Sequence, residues 1–303
     1  MNWKRILRRT VWTLATALLL VALLVGGVWL YLHPSLTRTN AVAYGKRGSQ
    51  TLAFDILRPA RPNGLGILLL VSGGWKSGQP GSFGEWLAAP LLRHGYTVFA
   101  IYHVSQPKAT VMEIVEDMHR AVRFVRYHAR EYGVDPGRLG VTGGSAGGHL
   151  SLMLATRGGP GRADAADPVD RESSTVQAVA IFFPVTDLLH LGKSTENSGD
   201  GGPPKSFRKA FGTQSTNLAV WKIIGHETSP IYYVSSNLPP VLIHHGDADT
   251  LTPLEQSEWF KDAARQAGRD VTIVIHPGGK HGWLTLPLDI RQFADWFDVQ
   301  LNR

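Results

Sequence analysis

The sequence predicts an α/β protein: a doubly wound, mostly parallel sheet preceded by an N-terminal transmembrane helix. Three observations predict it. Runs such as residues 66–71 and 176–183 are almost continuously apolar, as strands buried on both faces of a parallel sheet are. Segments of helical periodicity alternate with these runs, so the connections read as crossovers. Ahead of both, residues 11–32 carry no charged side chain and only Thr13 and Thr16 as small polar interruptions.

Taken in order, residues 1–10 are a basic segment and residues 11–32 a membrane anchor. At about 1.5 Å per residue that stretch crosses a hydrocarbon core of about 30 Å. Lys4, Arg5, Arg8 and Arg9 precede it, which places the N-terminus in the cytoplasm and the rest of the chain outside, periplasmic or extracellular. A cleaved signal peptide, with Val25, Gly26 and Gly27 as the small-residue site and a secreted product, is the alternative. Residues 33–40 read as a linker and residues 41–303 as one domain.

Within the domain, residues 51–57 alternate like a strand, and residues 66–71 form a buried one that breaks at Ser72-Gly73-Gly74-Trp75. A helix over 83–94 stops at Gly95, and a strand follows over 96–102. Val111, Ile114, Val115, Met118, Val122 and Val125 give residues 109–132 a helical stripe that ends at Gly133. Residues 139–142 are a strand and 146–155 a helix. After a polar loop and the strand at 176–183, residues 186–230 are irregular and rich in Gly, Ser, Pro and Lys, which reads as an insertion over the sheet, a lid. Strands over 240–245 and 271–276 flank a helix over 254–267, and an amphipathic helix over 290–301 closes the chain.

Composition narrows the function. The net charge is +7, but the four basic residues ahead of the anchor supply more than half of it, and no basic block interleaved with aromatics follows. That excludes a nucleic-acid footprint. There is no cysteine, hence no disulfide and no thiolate chemistry. The histidines lack H-x-x-x-H and H-E-x-x-H spacing, and we expect neither metal nor cofactor.

The chemistry centres on Gly143-Gly144-Ser145-Ala146-Gly147, which fits G-x-S-x-G between a strand and a helix. Such a turn exposes the serine hydroxyl and needs very small neighbours so that helix and strand can pack together. No Lys-Ser/Thr follows the glycines and G-x-G-x-x-G spacing is absent, which argues against a phosphate loop. A serine is a poor nucleophile until an imidazole takes its proton and a carboxylate orients that imidazole. Asp249 follows one late strand and His281, flanked by Gly282, the next. Asp247, beside Gly246, competes for the acid role but suits a turn cap, and Asp187 suits a cap of the segment after it. The N–H of Ala146 and those of Gly73 and Gly74 are the expected oxyanion donors.

The segments SGGWKSG, YGVDPGRLGVTGGSAGGHLSLMLA, SPIYYVSSNLPPVLIHHGDADTLTPLEQSE and GGKHGW resemble the α/β-hydrolase superfamily. The similarity is strongest to its dienelactone hydrolase-like and feruloyl/acetyl-xylan esterase-like branch, related to the esterase/lipase and prolyl-oligopeptidase groups. The resemblance implies a catalytic domain over 41–303 with Ser145 as nucleophile, Asp249 as acid, His281 as base, and Gly73, Gly74 and Ala146 around the oxyanion. One departure stands out. Many relatives carry H-G-G-G-W where this chain has Val71-Ser72-Gly73-Gly74-Trp75. Either Ser72 replaces the bracing histidine or the loop packs differently.

The expected function is a membrane-anchored serine hydrolase of carboxylic esters, including acetyl or feruloyl esters of carbohydrates. Its activity should rise with pH through a limb near the imidazole's ordinary value of about 6.5, shifted by Asp249. A peptidase acting on short peptides and a non-catalytic surface binding module are the alternatives. Trp75, Trp86, Trp221 and Trp283 are candidates for stacking on sugars, with packing as their ordinary use. The substrate's acyl and alcohol groups and the oligomeric state are not legible.

Overall fold

The computed structural model describes residues 3–302. A helix α1 (Trp3–Leu32) leads into a hairpin of β1 (Leu36–Arg47) and β2 (Gln50–Pro59). There follow β3 (Gly66–Leu70), α2 (Ala89–Arg93), β4 (Thr97–Ile101), α3 (Val111–Tyr127), α4 (Ala129–Tyr132), β5 (Leu139–Gly144) and α5 (Ala146–Arg157). The chain closes with β6 (Ala178–Phe182), α6 (Leu218–Glu227), β7 (Val241–Gly246), α7 (Glu255–Gln266), β8 (Val271–His276) and α8 (Leu286–Leu301).

The strands form one eight-stranded sheet in the order β1-β2-β4-β3-β5-β6-β7-β8. β1 and β2 are antiparallel additions; β4, β3, β5, β6, β7 and β8 run parallel. β4, β6 and β7 are buried along their whole length, which is why their sequences lack alternation. β8 has a single neighbour and an uneven burial pattern, as befits an edge. One apolar layer joins α3, α5, α6 and α7 to the sheet through residues such as Ile114, Leu150, Trp221 and Phe260. The opposite face carries α2 and α8 through Leu91, Phe293 and Phe297. The doubly wound sheet is thus as expected.

Three local readings differ. Residues 36–40, expected as linker, already belong to β1, whose polar, mostly exposed residues pair with β2 from Leu36↔Pro59 onward. The helix expected over 83–94 divides into a short 3-10 turn, Glu85–Leu87, and α2, with Pro90 at the start of the second piece. The insertion holds α6, missed in the sequence because its Ile and Leu residues are not confined to one buried stripe. Asn217 starts it, its side chain accepting from the N–H groups of Ala219 and Val220.

Residues 6–32 of α1 are apolar enough and long enough to cross a bilayer, and they lie outside the packed domain. Among the described residues, the last turn of α1 is the part tied to the domain. Arg93 of α2 donates from Nε to the carbonyl of Tyr31 at 2.6 Å and from its other arm to that of Leu30. Those carbonyls end the helix and have no intrahelical partner, so a cation suits them.

Candidate active site

Ser145 ends β5 and starts α5 with φ 55° and ψ −119°, a left-handed backbone that costs roughly 1–3 kcal/mol for a non-glycine residue. The neighbours explain how it persists. A Cβ on Gly143 would stand 2.6 Å from the carbonyl carbon of Gly147, and one on Gly147 2.5 Å from the carbonyl oxygen of Leu70. The N–H of Ser145 donates to Phe182 O at 3.0 Å, pinning the turn to β6.

The hydroxyl lies 2.9 Å from His281 Nε2, and His281 Nδ1 lies 2.7 Å from Asp249 Oδ2. The carboxylate only accepts, so Nδ1 carries the proton and Nε2 is free to receive the serine's. Asp249 is buried; its other oxygen accepts from the N–H groups of Leu251 and Thr252 at 2.9 and 3.0 Å. Burial pushes its pKa up, but the imidazoles of His245 and His281 and the Thr252 N–H outweigh that and hold it well below the usual carboxylate range. The His245 contact is electrostatic. Its ring nitrogen is 3.6 Å from Asp249 and donates instead to Thr252 O at 2.7 Å.

The competing acids have other work. Asp247 is exposed and accepts from the Gly278 N–H, capping the turn after β8. Asp187 accepts from the N–H groups of Leu189 and His190 and from Tyr232 Oη.

Of the expected oxyanion donors, Gly73 requires correction. Its N–H donates to Lys76 O at 2.9 Å, closing the turn, and one N–H serves one strong bond. The N–H groups of Gly74 and Ala146 have no partner among the described residues, and both residues line the cleft with Ser145. Ala146 is the first helical residue, so no carbonyl one turn back could bind it.

The turn Ser72–Trp75 is braced by two histidines that the sequence reading did not single out for this role. Ser72 Oγ lies 2.9 Å from His103 Nε2, and His103 Nδ1 donates to the carbonyl of Val104 at 2.9 Å. With the proton on Nδ1, Nε2 accepts and Ser72 donates. Trp75, at φ 55°, donates from Nε1 to His149 Nδ1 at 3.2 Å, and His149 Nε2 donates to Thr228 O at 2.7 Å. Burial lowers both histidines to about 4, which keeps them neutral. Thus Ser72 does make a brace, with a histidine from the end of the adjacent β4. The available signal was His103 directly after a buried strand, beside Ser72 in the parallel register.

The cleft over Ser145 has a volume of about 450 Å³. Trp75, Phe183, Val185, Leu188, Leu191 and Phe207 wall it, so the insertion at 186–230 contributes a large share. Trp221 is buried away from the cleft, whereas Trp75, 4% exposed, walls it; Trp283 is half-buried and stacks on His276 at 4.0 Å, and Trp86 is exposed. Two groups bring metal-binding side chains together, His244–His276–Asp289 and His94–Asp295–Asp298. In the first, His244 Nδ1 and His276 Nε2 share a 3.0 Å hydrogen bond and Asp289 accepts from Trp283 Nε1, while the buried His244 Nε2 has no partner among the described residues.

Comparison with known proteins gives the chain a family and structural neighbours. The BD-FAE family model matches residues 54–264, well over half of the chain, and spans both β5–α5 and the Asp249 loop. The chain belongs to the BD-FAE family. Among curated proteins this member is similar to Esterase LipQ of Mycobacterium tuberculosis (strain ATCC 25618 / H37Rv), 30% identical over 258 residues, which cover 81% of this chain and 57% of the relative. The chain thus spans little more than half the length of that protein. Among solved structures it is similar to a truncated carbohydrate esterase from gut microbiota, with TM-score 0.72, 26% identity, and coverage of 88% of this chain and 97% of that one. It is also similar to a butyrate-bound esterase, Est2, of Thermogutta terrifontis, with TM-score 0.65, 26% identity, and coverage of 89% and 95%. The α/β-hydrolase fold with esterase neighbours is therefore secure.

Proposed function

We propose that the chain is a membrane-tethered carboxylic ester hydrolase working through an acyl-enzyme on Ser145. The observation that carries this reading is the unbroken relay from Ser145 Oγ through His281 to Asp249. Ser145 attacks the ester carbonyl while His281 Nε2 takes its proton; the negative oxygen that forms meets the N–H groups of Ala146 and Gly74. The tetrahedral adduct collapses, and His281 returns the proton to the departing alcohol. Water then enters, gives a proton to His281 and releases the acid by the same route.

Esterase relatives support the ester over the peptide reading. The acetyl or feruloyl ester of a carbohydrate is a narrower version, supported by the carbohydrate esterase neighbour. The apolar helix over residues 6–32, with basic residues at its start, supports a bilayer anchor with the domain outside the cytoplasm. A secreted protein after signal cleavage is the alternative.

The test is a panel of p-nitrophenyl acetate and butyrate, a feruloyl ester and aminoacyl anilides. We expect ester turnover, no anilide turnover, and fluorophosphonate labelling that Ser145→Ala abolishes, with activity reduced at least about 10⁴-fold. Labelling that survives Ser145→Ala would end the proposal.

A further inference from the structure

A second cavity lies on the other side of the catalytic turn. It holds about 210 Å³ and is walled by Val71, Phe83, Leu87, Leu286, Ile290 and Phe183, with Thr142 the sole polar side chain along it. It shares two walls, Gly144 and Phe183, with the cleft over Ser145. Phe183 is the partition. Its backbone sits at φ 31°, and its ring lies 4.4 Å from that of His281. So apolar a lining suits a hydrocarbon.

What surrounds the far end of this cavity points to the source of that hydrocarbon. Leu87 belongs to the short turn Glu85–Leu87, and Leu286 and Ile290 to the first turns of α8, which packs against that turn. The end of α1 rests on the same turn and on α2, where Arg93 grips the carbonyls of Leu30 and Tyr31 and stacks 5.0 Å over the Tyr31 ring. Around it Trp86, Leu284 and Leu288 are 40%, 97% and 51% exposed, and Trp29 and Leu30 of α1 are exposed as well. These large apolar side chains are exposed on elements that touch one another, more than a soluble domain commonly shows. Here they lie beside the helix that is apolar enough to enter a bilayer, which a lipid surface would cover.

We infer that this cavity takes the hydrocarbon chain of a membrane-borne ester, entering beside the end of α1 and reaching Ser145 past Phe183. This deepens the ester-hydrolase reading and rests on it. Every further methylene buried adds to binding, so the cavity favours long chains over short ones and leaves short ones to the outer cleft. The substrate class is then a lipid ester rather than a soluble carbohydrate ester.

The experiment uses the full chain in detergent micelles with p-nitrophenyl butyrate and p-nitrophenyl laurate. Rates are normalised to the sites labelled by a small fluorophosphonate, which counts folded enzyme. Leu87→Trp and Leu286→Trp narrow the cavity from two independent sides, far from the reacting atoms. We expect laurate kcat/KM to fall about tenfold in each, with butyrate changed by no more than about twofold. A parallel fall on both esters, or no change on laurate, overturns the inference. Wild-type protein that hydrolyses neither ester would instead overturn the ester-hydrolase reading beneath it.

Discussion

The turn that carries Ser145 and the turn that carries Gly74 follow adjacent parallel strands, β5 and β3, and face the same cleft. The first is held by the backbone. Gly143 and Gly147 pack so closely that no side chain fits between strand and helix, and Ser145 N–H is tied to β6. The second is held by side chains: Ser72 on His103, and Trp75 on His149, with Phe207 covering Gly74. A backbone-held turn writes itself into the sequence as a fixed glycine spacing. A side-chain-held turn can exchange one brace for another, and only coordinates reveal which it uses.

The comparison is broken most severely at the backbone-held turn. Gly147→Ala puts a methyl against Leu70 O, which cannot move without moving β3, so we expect a loss of about 3 kcal/mol in stability, read as a lower Tm, and activity lost with it. A variant as stable and active as wild type would show that this turn has slack.

The side-chain-held turn should yield less. His103→Ala frees Ser72, and we expect kcat to fall about tenfold with KM nearly unchanged, because only oxyanion donors are displaced. His103→Gln, whose amide oxygen can accept from Ser72, should recover most of that loss. If it recovers none, or if KM moves instead of kcat, His103 is packing and not a brace.

Acid should separate the two turns as well. His103 and His149 stay neutral down to about 4, whereas the unfolded chain protonates its histidines near about 6.5. Below that value the unfolded state binds protons the folded state refuses, so stability falls as pH falls. Each histidine costs roughly 1.4 kcal/mol per pH unit in that window. The Tm measured from about pH 7 to about pH 5 should therefore decline, and His149→Gln should flatten the decline. A profile unchanged by that substitution would remove His149 from the account.

Much of the scaffold was legible before the coordinates, because parallel strands buried on both faces have no alternation to hide. Ser145, Asp249 and His281 stood out in that order because each follows a strand, those before Ser145 and Asp249 largely buried and that before His281 at the edge of the sheet. The choice of acid stayed open between Asp249, Asp247 and Asp187 in the sequence; Asp247, beside Gly246, accepts from the Gly278 N–H as a turn cap would. What escaped depended on contacts distant in sequence. The N–H of Gly73 is spent on Lys76, His103 meets a serine 31 residues earlier, and β1 is polar because the hairpin buries little more than Tyr44 along it. The helix α6 escaped for a different reason, its apolar residues being shared between Trp221 inside and Ile223 outside.

β8 stands at the margin of the sheet with β7 alone beside it, and the segment bearing His281 hangs directly from its end. Ser145, by contrast, springs from β5, flanked on both sides. Peeling away one marginal ribbon takes far less free energy than melting the sheet. The proton carrier can therefore detach while the alcohol it serves stays in place, and thermal silence need not wait for collapse.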